Sequence, residues 1–423
     1  MKLRCIECGL TYAPEDVRTS CDCGGLLEVD LAIPPVTREL FDGRLGAVDH
    51  PLRSGVWRFR ELMPNFPDDV IVSKPEGNTN LYNDQRLSDY AGTDVWFKHE
   101  GENPTGSFKD RGMTVGISHA RWTNATMVAC ASTGNTSAAV AAYAATAGIP
   151  SVVFIPEGKI SAAKLGQTIA YGTTIIQVRG DFDAAMNMVR EATSRYGIYL
   201  LNSLNPFRLE GQKSIVLEAL QQLRWQVPDW IVIPGGNLGN SSAFGKGLRE
   251  LYTLGLISKL PRIAIIQAEG ANPLYRAYQN GFEHFESVHA DTIATAIKIG
   301  NPVNYPKAVR TVQWTEGAVE EVTDQEIMDA KALIDSTGIG CEPASACSLA
   351  GIRKLVEKGE IRRGETVVGI LTGHVLKDAE ATINYHRGEL DGIEPHYANH
   401  VHNASDSLEA IRAIVEGIQF ADA

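Results

Sequence analysis

The sequence predicts an α/β protein with two parallel-sheet domains, helices on both faces of each sheet, and a small cysteine-rich knob at the N-terminus. Three observations carry that expectation. Short β-rich runs, apolar on both faces, recur along the chain; helical stretches separate them; and four of the seven cysteines crowd into the first 23 residues. Strands that bury both faces and alternate with helices form parallel sheets covered on each side.

In chain order the knob comes first. Cys5-x-x-Cys8 and Cys21-x-Cys23 are two close pairs, a grouping that lets four thiolates surround one zinc ion tetrahedrally. A structural zinc is one reading, and reduced cysteines in a knob that folds without metal are the other. Cys130, Cys341 and Cys347 stand in apolar or turn contexts, where packing is their expected role. Residues 31 to 75 are rich in proline and charge without a sustained period, and read as an arm wrapping the main body.

The strands follow as "DVWFKHE" (94–100), "TMVACAS" (126–132), "SVVFIP" (151–156), "TTIIQV" (173–178), "DWIVIPGG" (229–236), "RIAIIQAEG" (262–270) and "TVVGILTGH" (366–374). Helices such as "NTSAAVAAYAATAG" and "DAAMNMVREATSRYG" lie between them, the second with a polar face and a closing glycine. Near the end, "DSLEAIRAIVEG" reads as an amphipathic helix capped by Asp406 and Ser407 and docked as a tail. The expected division is a knob at 1–30, a small domain at 116–207, and a large domain built from 31–115 and 208–423.

Composition narrows the partners. With 423 residues, 44% of them hydrophobic, the chain can bury more than one core, and its net charge of −12 argues against nucleic acid or an anionic membrane. Small molecules are the expected ligands. Lys2 and Arg4 lead into cysteines and polar residues rather than an apolar segment, and no run reaches transmembrane length, so a cytoplasmic location is expected.

The chemistry concentrates in a few loops. In "GENPTGSFKDRG" (101–112), Lys109 follows a rigid turn and opens a helix, a placement that suits a nucleophile. A single lysine after a loop is more often a surface residue, so this reading depends on its company. Pro234-Gly-Gly-Asn-Leu-Gly-Asn240 leaves a strand and enters a helix, which points backbone N–H groups at an anion. Many such loops are plain turns, but neither a P-loop lysine nor a Gly-x-Gly-x-x-Gly pattern is present. A lysine for an aldehyde and a cup for a phosphate together match the needs of pyridoxal phosphate. "STGNTSAAV" (132–140) offers a second anion cradle for an amino acid carboxylate, or an ordinary helix cap. Thr372 ends the last long strand, where a hydroxyl can reach a cofactor at the sheet's carboxyl edge.

These pieces resemble the fold-type II pyridoxal phosphate enzymes, and within them the threonine synthase family. "NPTGSFKDRG", "STGNTSAA", "GGNLGN", "ANPLYRAY", "TIATAIKIGNP", "GCEPASA" and "LTGHVLKD" occur in the family's order, within a resemblance that covers residues 74 to 378. Val375 departs from a frequent glycine, a matter of local packing. The resemblance implies that Lys109 forms the Schiff base and then shuttles protons, and that Asn135 meets the cofactor's 3′-oxygen. It implies that Gly236, Asn237, Leu238, Gly239 and Asn240 hold the cofactor phosphate and that Thr372 meets the pyridine nitrogen. Ser132, Thr133 and Thr136 would bind the substrate carboxylate. Asn202, Ser203 and Arg208 would bind the phosphate of a small phosphorylated amino-acid substrate; a guanidinium matches phosphate with two hydrogen bonds, although Arg208 alone also reads as an exposed helix-start arginine.

The implied reaction is conversion of O-phospho-L-homoserine and water to L-threonine and phosphate by γ-elimination and β-addition, in a homodimer. The rivals are cysteate synthase, which joins O-phosphoserine to sulfite; a threonine or serine dehydratase, which has no use for a second phosphate site; and a non-catalytic cofactor-binding relative.

Overall fold

In the computed structural model, residues 1–157, 162–180 and 182–421 are described, and they build three sheets. β1 (Lys2–Cys5), β2 (Thr11–Tyr12) and β3 (Leu27–Asp30) form the antiparallel knob in the order β2-β1-β3. β4 (Leu81–Asn83) and β5 (Asp94–His99) begin the largest sheet. The chain then leaves to make β6 (Val128–Ala131), β7 (Ser151–Pro156), β8 (Thr174–Val178) and β9 (Tyr199–Leu200), all parallel in the order β8-β7-β6-β9. It returns with β10 (Trp230–Pro234), β11 (Arg262–Ala268), β12 (Ala318–Val322) and β13 (Thr366–Leu371). The completed sheet runs β12-β11-β10-β13-β5-β4, with β4 antiparallel to its neighbour.

All seven expected strands are present, Ser151–Pro156 with the expected bounds and the others with one or both ends trimmed. β10 is buried throughout because helices cover both faces of the sheet, the arrangement its unbroken apolar run requires. At the centre Gly369 of β13 pairs with Phe97 of β5. A Cβ at Gly369 would meet the Phe97 ring at 2.7 Å, so the small residue is what lets that ring lie flat against the sheet. β12 escaped the sequence reading because "AVEEV" looks like surface; Glu320 is nevertheless buried and held by Lys358.

Two expectations change. Residues 31–75 do not merely wrap the body: Val56, Trp57, Phe59, Leu62, Met63, Phe66 and Ile71 are buried in the main core, and the Trp57 indole donates to Thr114 at 2.7 Å. Their apolar side chains lack a sustained helix or strand period because the segment is short turns, one five-residue helix, Arg38–Asp42, and a 3₁₀ stretch, Trp57–Leu62. The tail helix Leu408–Ala421 does receive a cap, the Ala410 N–H donating to Ser407 Oγ at 3.2 Å, but Leu408, Ile411 and Val415 are exposed, so these apolar residues are not docked on the body.

The helix Lys109–Trp122 spans the boundary drawn at 115/116. Met113, Ile117 and Ala120 pack into the core of the four-stranded sheet, while Val115 joins the main core, so the helix is a wall common to both. β10, β13 and β5 are parallel neighbours, so the loops that leave them emerge side by side along one edge spanning about 10 Å.

Candidate active site

The lysine loop follows β5 and is fixed from several directions. Asn103 accepts from the Gly77 N–H at 2.9 Å and donates to Glu100 at 2.8 Å; the Thr105 N–H and hydroxyl both donate to buried Asp110. The loop is also stitched to the segment after β13. The Phe108 N–H donates to Thr372 O at 3.0 Å, the His374 N–H donates to Gly106 O at 2.9 Å, and Ser107 bridges Gly373. Gly106 sits at φ +83°, a conformation glycine supplies without strain.

Behind the loop, Arg111 is buried and donates to Glu100 at 2.6 Å and Glu218 at 2.8 Å, and Glu218 also accepts from Lys98 and Arg58. The Asp-Arg pair after the lysine is thus its anchorage. Lys109 itself begins the helix and is half-buried. Burial, aided by the Arg208 guanidinium and opposed by Glu342, lowers its ammonium to about 7. A large share of the amine is therefore neutral near neutral pH, which is what nucleophilic attack on an aldehyde needs.

The loop after β10 forms a cup. It opens the helix Gly239–Thr253, whose N-terminus has no side-chain cap, and Leu238 just before it lies at φ +62°, a left-handed conformation rare for a branched residue. Asn304 Nδ2 donates to Asn237 O at 3.3 Å, and the Val303 N–H donates to Asn237 Oδ1 at 3.5 Å. A Cβ at Gly236 would stand 3.1 Å from Ile297 Cα, so glycine lets the loop lie close against that segment. Among the described residues, buried Asn240 Oδ1 and Ser241 Oγ have no hydrogen-bond partner. An uncapped helix start, the unpartnered Ser241 hydroxyl and a lowered lysine fit a phosphate-tailed aldehyde.

The loop after β6 enters the helix Asn135–Ala147. The Gly134 N–H donates to Ser132 Oγ at 3.3 Å, Thr133 and Thr136 are half-buried, and a Cβ at Gly134 would meet nothing within 4 Å, so this cradle faces open space. Asn135 Nδ2 donates to Glu342 Oε2 at 2.9 Å, and the Thr372 hydroxyl donates to Glu342 Oε1 at 3.3 Å while lying 3.0 Å from Ser345 Oγ. Glu342, which burial pushes up from its ordinary value, therefore ties together two residues expected to face the cofactor ring. No role was read for it from the sequence; the signal was a buried-looking acid immediately before the proline that starts the helix Pro343–Glu357.

Arg208 lies in the helix Pro206–Gln212, packed against Gly112 and Gly116 of the lysine helix. It is buried rather than exposed at a helix start. Its Nη1 donates to Leu201 O at 2.9 Å, its Nε has no partner among the described residues, and none of their carboxylates pairs with it. Burial lowers its guanidinium to about 10. Asn202 exchanges two hydrogen bonds of 2.9 Å with the backbone of Ala131, fixing the end of β6 beside Ser132. Ser203 O accepts from Asn304 Nδ2 at 3.1 Å, so Asn304, absent from the sequence reading, bridges the expected substrate-phosphate loop and the cup. In the knob, the sulfurs of Cys5, Cys8, Cys21 and Cys23 all lie within 4.8 Å of one another.

Residues 72–373 match the family described as pyridoxal-phosphate dependent enzyme. The chain is 47% identical over 386 residues to the threonine synthase of Methanocaldococcus jannaschii, covering 90% of this chain and 94% of that one. The chain belongs to the threonine synthase family. A second relative, "Threonine synthase 2, chloroplastic" of Arabidopsis thaliana, is 43% identical and covers 92% of this chain and 79% of its own. The fold of this threonine synthase family member is also that of the solved threonine synthase from Escherichia coli, with a TM-score of 0.70 at 20% identity over 99% of this chain and 100% of that one. Maize serine racemase shares it too, with a TM-score of 0.65 at 20% identity over 79% and 98% of the two chains. The chain is a pyridoxal-phosphate dependent lyase.

Proposed function

We propose that the chain converts O-phospho-L-homoserine and water into L-threonine and phosphate. One observation carries the choice of a phosphorylated substrate: Arg208 is a buried guanidinium whose charge influences Lys109 and which no carboxylate among the described residues neutralises. A buried cation left unpaired in this way calls for an anionic ligand, and it lies on a different element from the cup at Gly236 to Asn240. A dehydratase would have no use for it.

Pyridoxal phosphate supplies a sink for the negative charge that develops at the substrate carbons. The cup at Gly236 to Asn240 holds its phosphate through backbone N–H groups, Asn135 orients its 3′-oxygen and Thr372 its ring nitrogen. The carboxyl of Glu342 steadies both side chains. The substrate carboxylate sits against Ser132, Thr133 and Thr136 at the start of the helix Asn135–Ala147, and its phosphate lies at Arg208 with Asn202 and Ser203. Lys109, whose amine is partly neutral near pH 7, would be the group that bonds the aldehyde of the cofactor. Once freed by the substrate amine, Lys109 would take the Cα proton, hand it on, and then take a Cβ proton; phosphate would leave Cγ toward Arg208, Lys109 would return a proton to Cγ, and water would add its hydroxyl at Cβ as Cα regains its proton. The four-stranded unit closes on the larger one to exclude bulk water until that step.

A homodimer and a cytoplasmic location complete the reading. The exposed apolar residues Leu408, Ile411 and Val415 support the first, and seven cysteines with no disulfide among the described residues suit the second. No helix of the described residues is long and apolar enough to cross a membrane.

The test is incubation of the holoenzyme with O-phospho-L-homoserine and, separately, with O-phosphoserine plus sulfite, followed by amino acid analysis. Threonine and phosphate from the first mixture support the proposal; cysteate from the second with no threonine from the first overturns it. Arg208→Ala should raise KM for the phosphorylated substrate about 10- to 100-fold, the loss expected for a charged hydrogen-bond partner, with the cofactor absorbance unchanged.

A further inference from the structure

We propose that Cys5, Cys8, Cys21 and Cys23 hold a structural zinc ion, and that the zinc-loaded knob clamps the helices behind the phosphate cup, so that loss of the metal loosens the cofactor. The geometry of the sulfurs comes first. Cys5 and Cys23 are 3.6 Å apart, Cys8 and Cys21 3.5 Å, and Cys23 and Cys8 3.5 Å. A tetrahedral zinc with bonds of about 2.3 Å sets its sulfurs about 3.8 Å apart, whereas a disulfide would draw two of them to about 2 Å. All four sulfurs converge on one point, and neither pair has closed on itself.

Around them the polar groups are arranged as they are around metal thiolates. The backbone N–H groups of Leu10, Cys23 and Gly25 face the sulfurs of Cys8, Cys21 and Cys23, and the Tyr12 hydroxyl lies 3.0 Å from Cys21 Sγ. Such donors stabilise thiolate charge and orient the ligands. A Cβ at Gly25 would fall 2.8 Å from Cys5 Sγ, so the turn is closed tightly over the cluster. Three strands of four residues or fewer, with Leu3, Leu27 and Val29 as their apolar content, are too little core to stand alone.

The clamp is formed by β3. Leu27 O accepts from the buried ammonium of Lys307 at 2.6 Å, Val29 O accepts from Lys246, and Glu28 pairs with Arg310 at 2.6 Å. Lys246 lies in the helix whose first turn is the cup. Lys307 and Arg310 lie in the helix Tyr305–Trp314, immediately after Asn304, which holds Asn237 of the cup. Pro14 O in the knob also accepts from His119 Nε2 at 2.7 Å, on the helix that Lys109 begins. If the knob unravels, Lys307 loses its partner while remaining buried, and the helix that carries it must shift to find water.

The clamp, though not the metal site, rests on the cup being the cofactor's phosphate site. The experiment separates the two. Holoenzyme purified from zinc-supplied cells is analysed for metal, then stripped with a zinc chelator while cofactor release is followed by absorbance. Stoichiometric zinc, its loss in Cys8→Ser, and a rise of about 10- to 100-fold in the cofactor dissociation constant on stripping, reversed by added zinc, are the expected results. Lys307→Met, which leaves the thiols intact and carries no ammonium to be stranded, should keep its zinc and lose much less cofactor affinity on stripping than the parent does. Should Cys8→Ser fail to fold, the parent and Lys307→Met still decide. Zinc no higher than in a variant lacking all four thiols overturns the metal site. Complete zinc loss with unchanged cofactor affinity, or a loss on stripping as large in Lys307→Met as in the parent, overturns the clamp.

Discussion

At the level of single residues, the site depends on two cations that burial has weakened in different ways. Lys109 is lowered to about 7, with Arg208 assisting the desolvation. In the apoenzyme the rate of covalent cofactor capture should therefore climb about tenfold per pH unit below 7 and level off above it. Stopped-flow absorbance from pH 5.5 to 8.5 checks this, and a rate still climbing steeply above pH 8 would show an ordinary lysine. Replacing Arg208 by Met should shift that midpoint upward, because one of the causes that disfavour the ammonium is gone. Glu342→Gln tests the acid that joins Asn135 to Thr372. It keeps the shape but not the charge, and is expected to move the absorbance maximum of the bound cofactor by changing how its ring is held, with the far-ultraviolet circular dichroism unchanged.

Individual elements explain why the lysine loop is rigid. Glu218, in the helix Ser214–Gln222, accepts from Arg111, Lys98 and Arg58, all buried. Burial alone would push its carboxyl up, but these three cations hold it well below the ordinary value. Its folded value lies under the unfolded one, so its contribution to stability is complete above about pH 4.3 and disappears as the pH falls through the folded value. Glu218→Gln should lower unfolding stability by about 3–5 kcal/mol, the loss for breaking a buried pair on one side, measured by denaturant titration at pH 7. A change under 1 kcal/mol would mean that the cluster relaxes around the amide. This cluster was invisible in the sequence, since Arg111 and Glu218 are 107 residues apart. The lysine turn and the glycine cup were legible because their chemistry is local: a break, a turn and a helix start occupy adjacent positions. Arg208 could be named as a candidate, but its burial could not, because that comes from Gly112 and Gly116 on another helix. Glu342 and Asn304 acquire meaning from contacts across the fold. The arm at 31–75 hid its buried aromatics because turns give no period to read.

On the scale of the whole molecule, the tail helix Leu408–Ala421 leaves Leu408, Ile411 and Val415 exposed, so truncation after residue 404 should change the folding stability of a single copy by no more than about 0.5 kcal/mol. A lower sedimentation coefficient in the truncated protein would assign the helix to contact between copies. Saturating pyridoxal phosphate should stabilise the apoenzyme by about 2.7 kcal/mol at a hundred times its dissociation constant, read from the thermal midpoint. The order of the large sheet has a further consequence for biogenesis. The lysine loop is laced to the residues that follow β13, and β13 lies between β5 and β10, so the central strand is among the last parts of the chain to be synthesised. Nascent chains stalled on the ribosome before residue 366 should remain colourless, and pigment should emerge only when the final strand slides into the gap awaiting it.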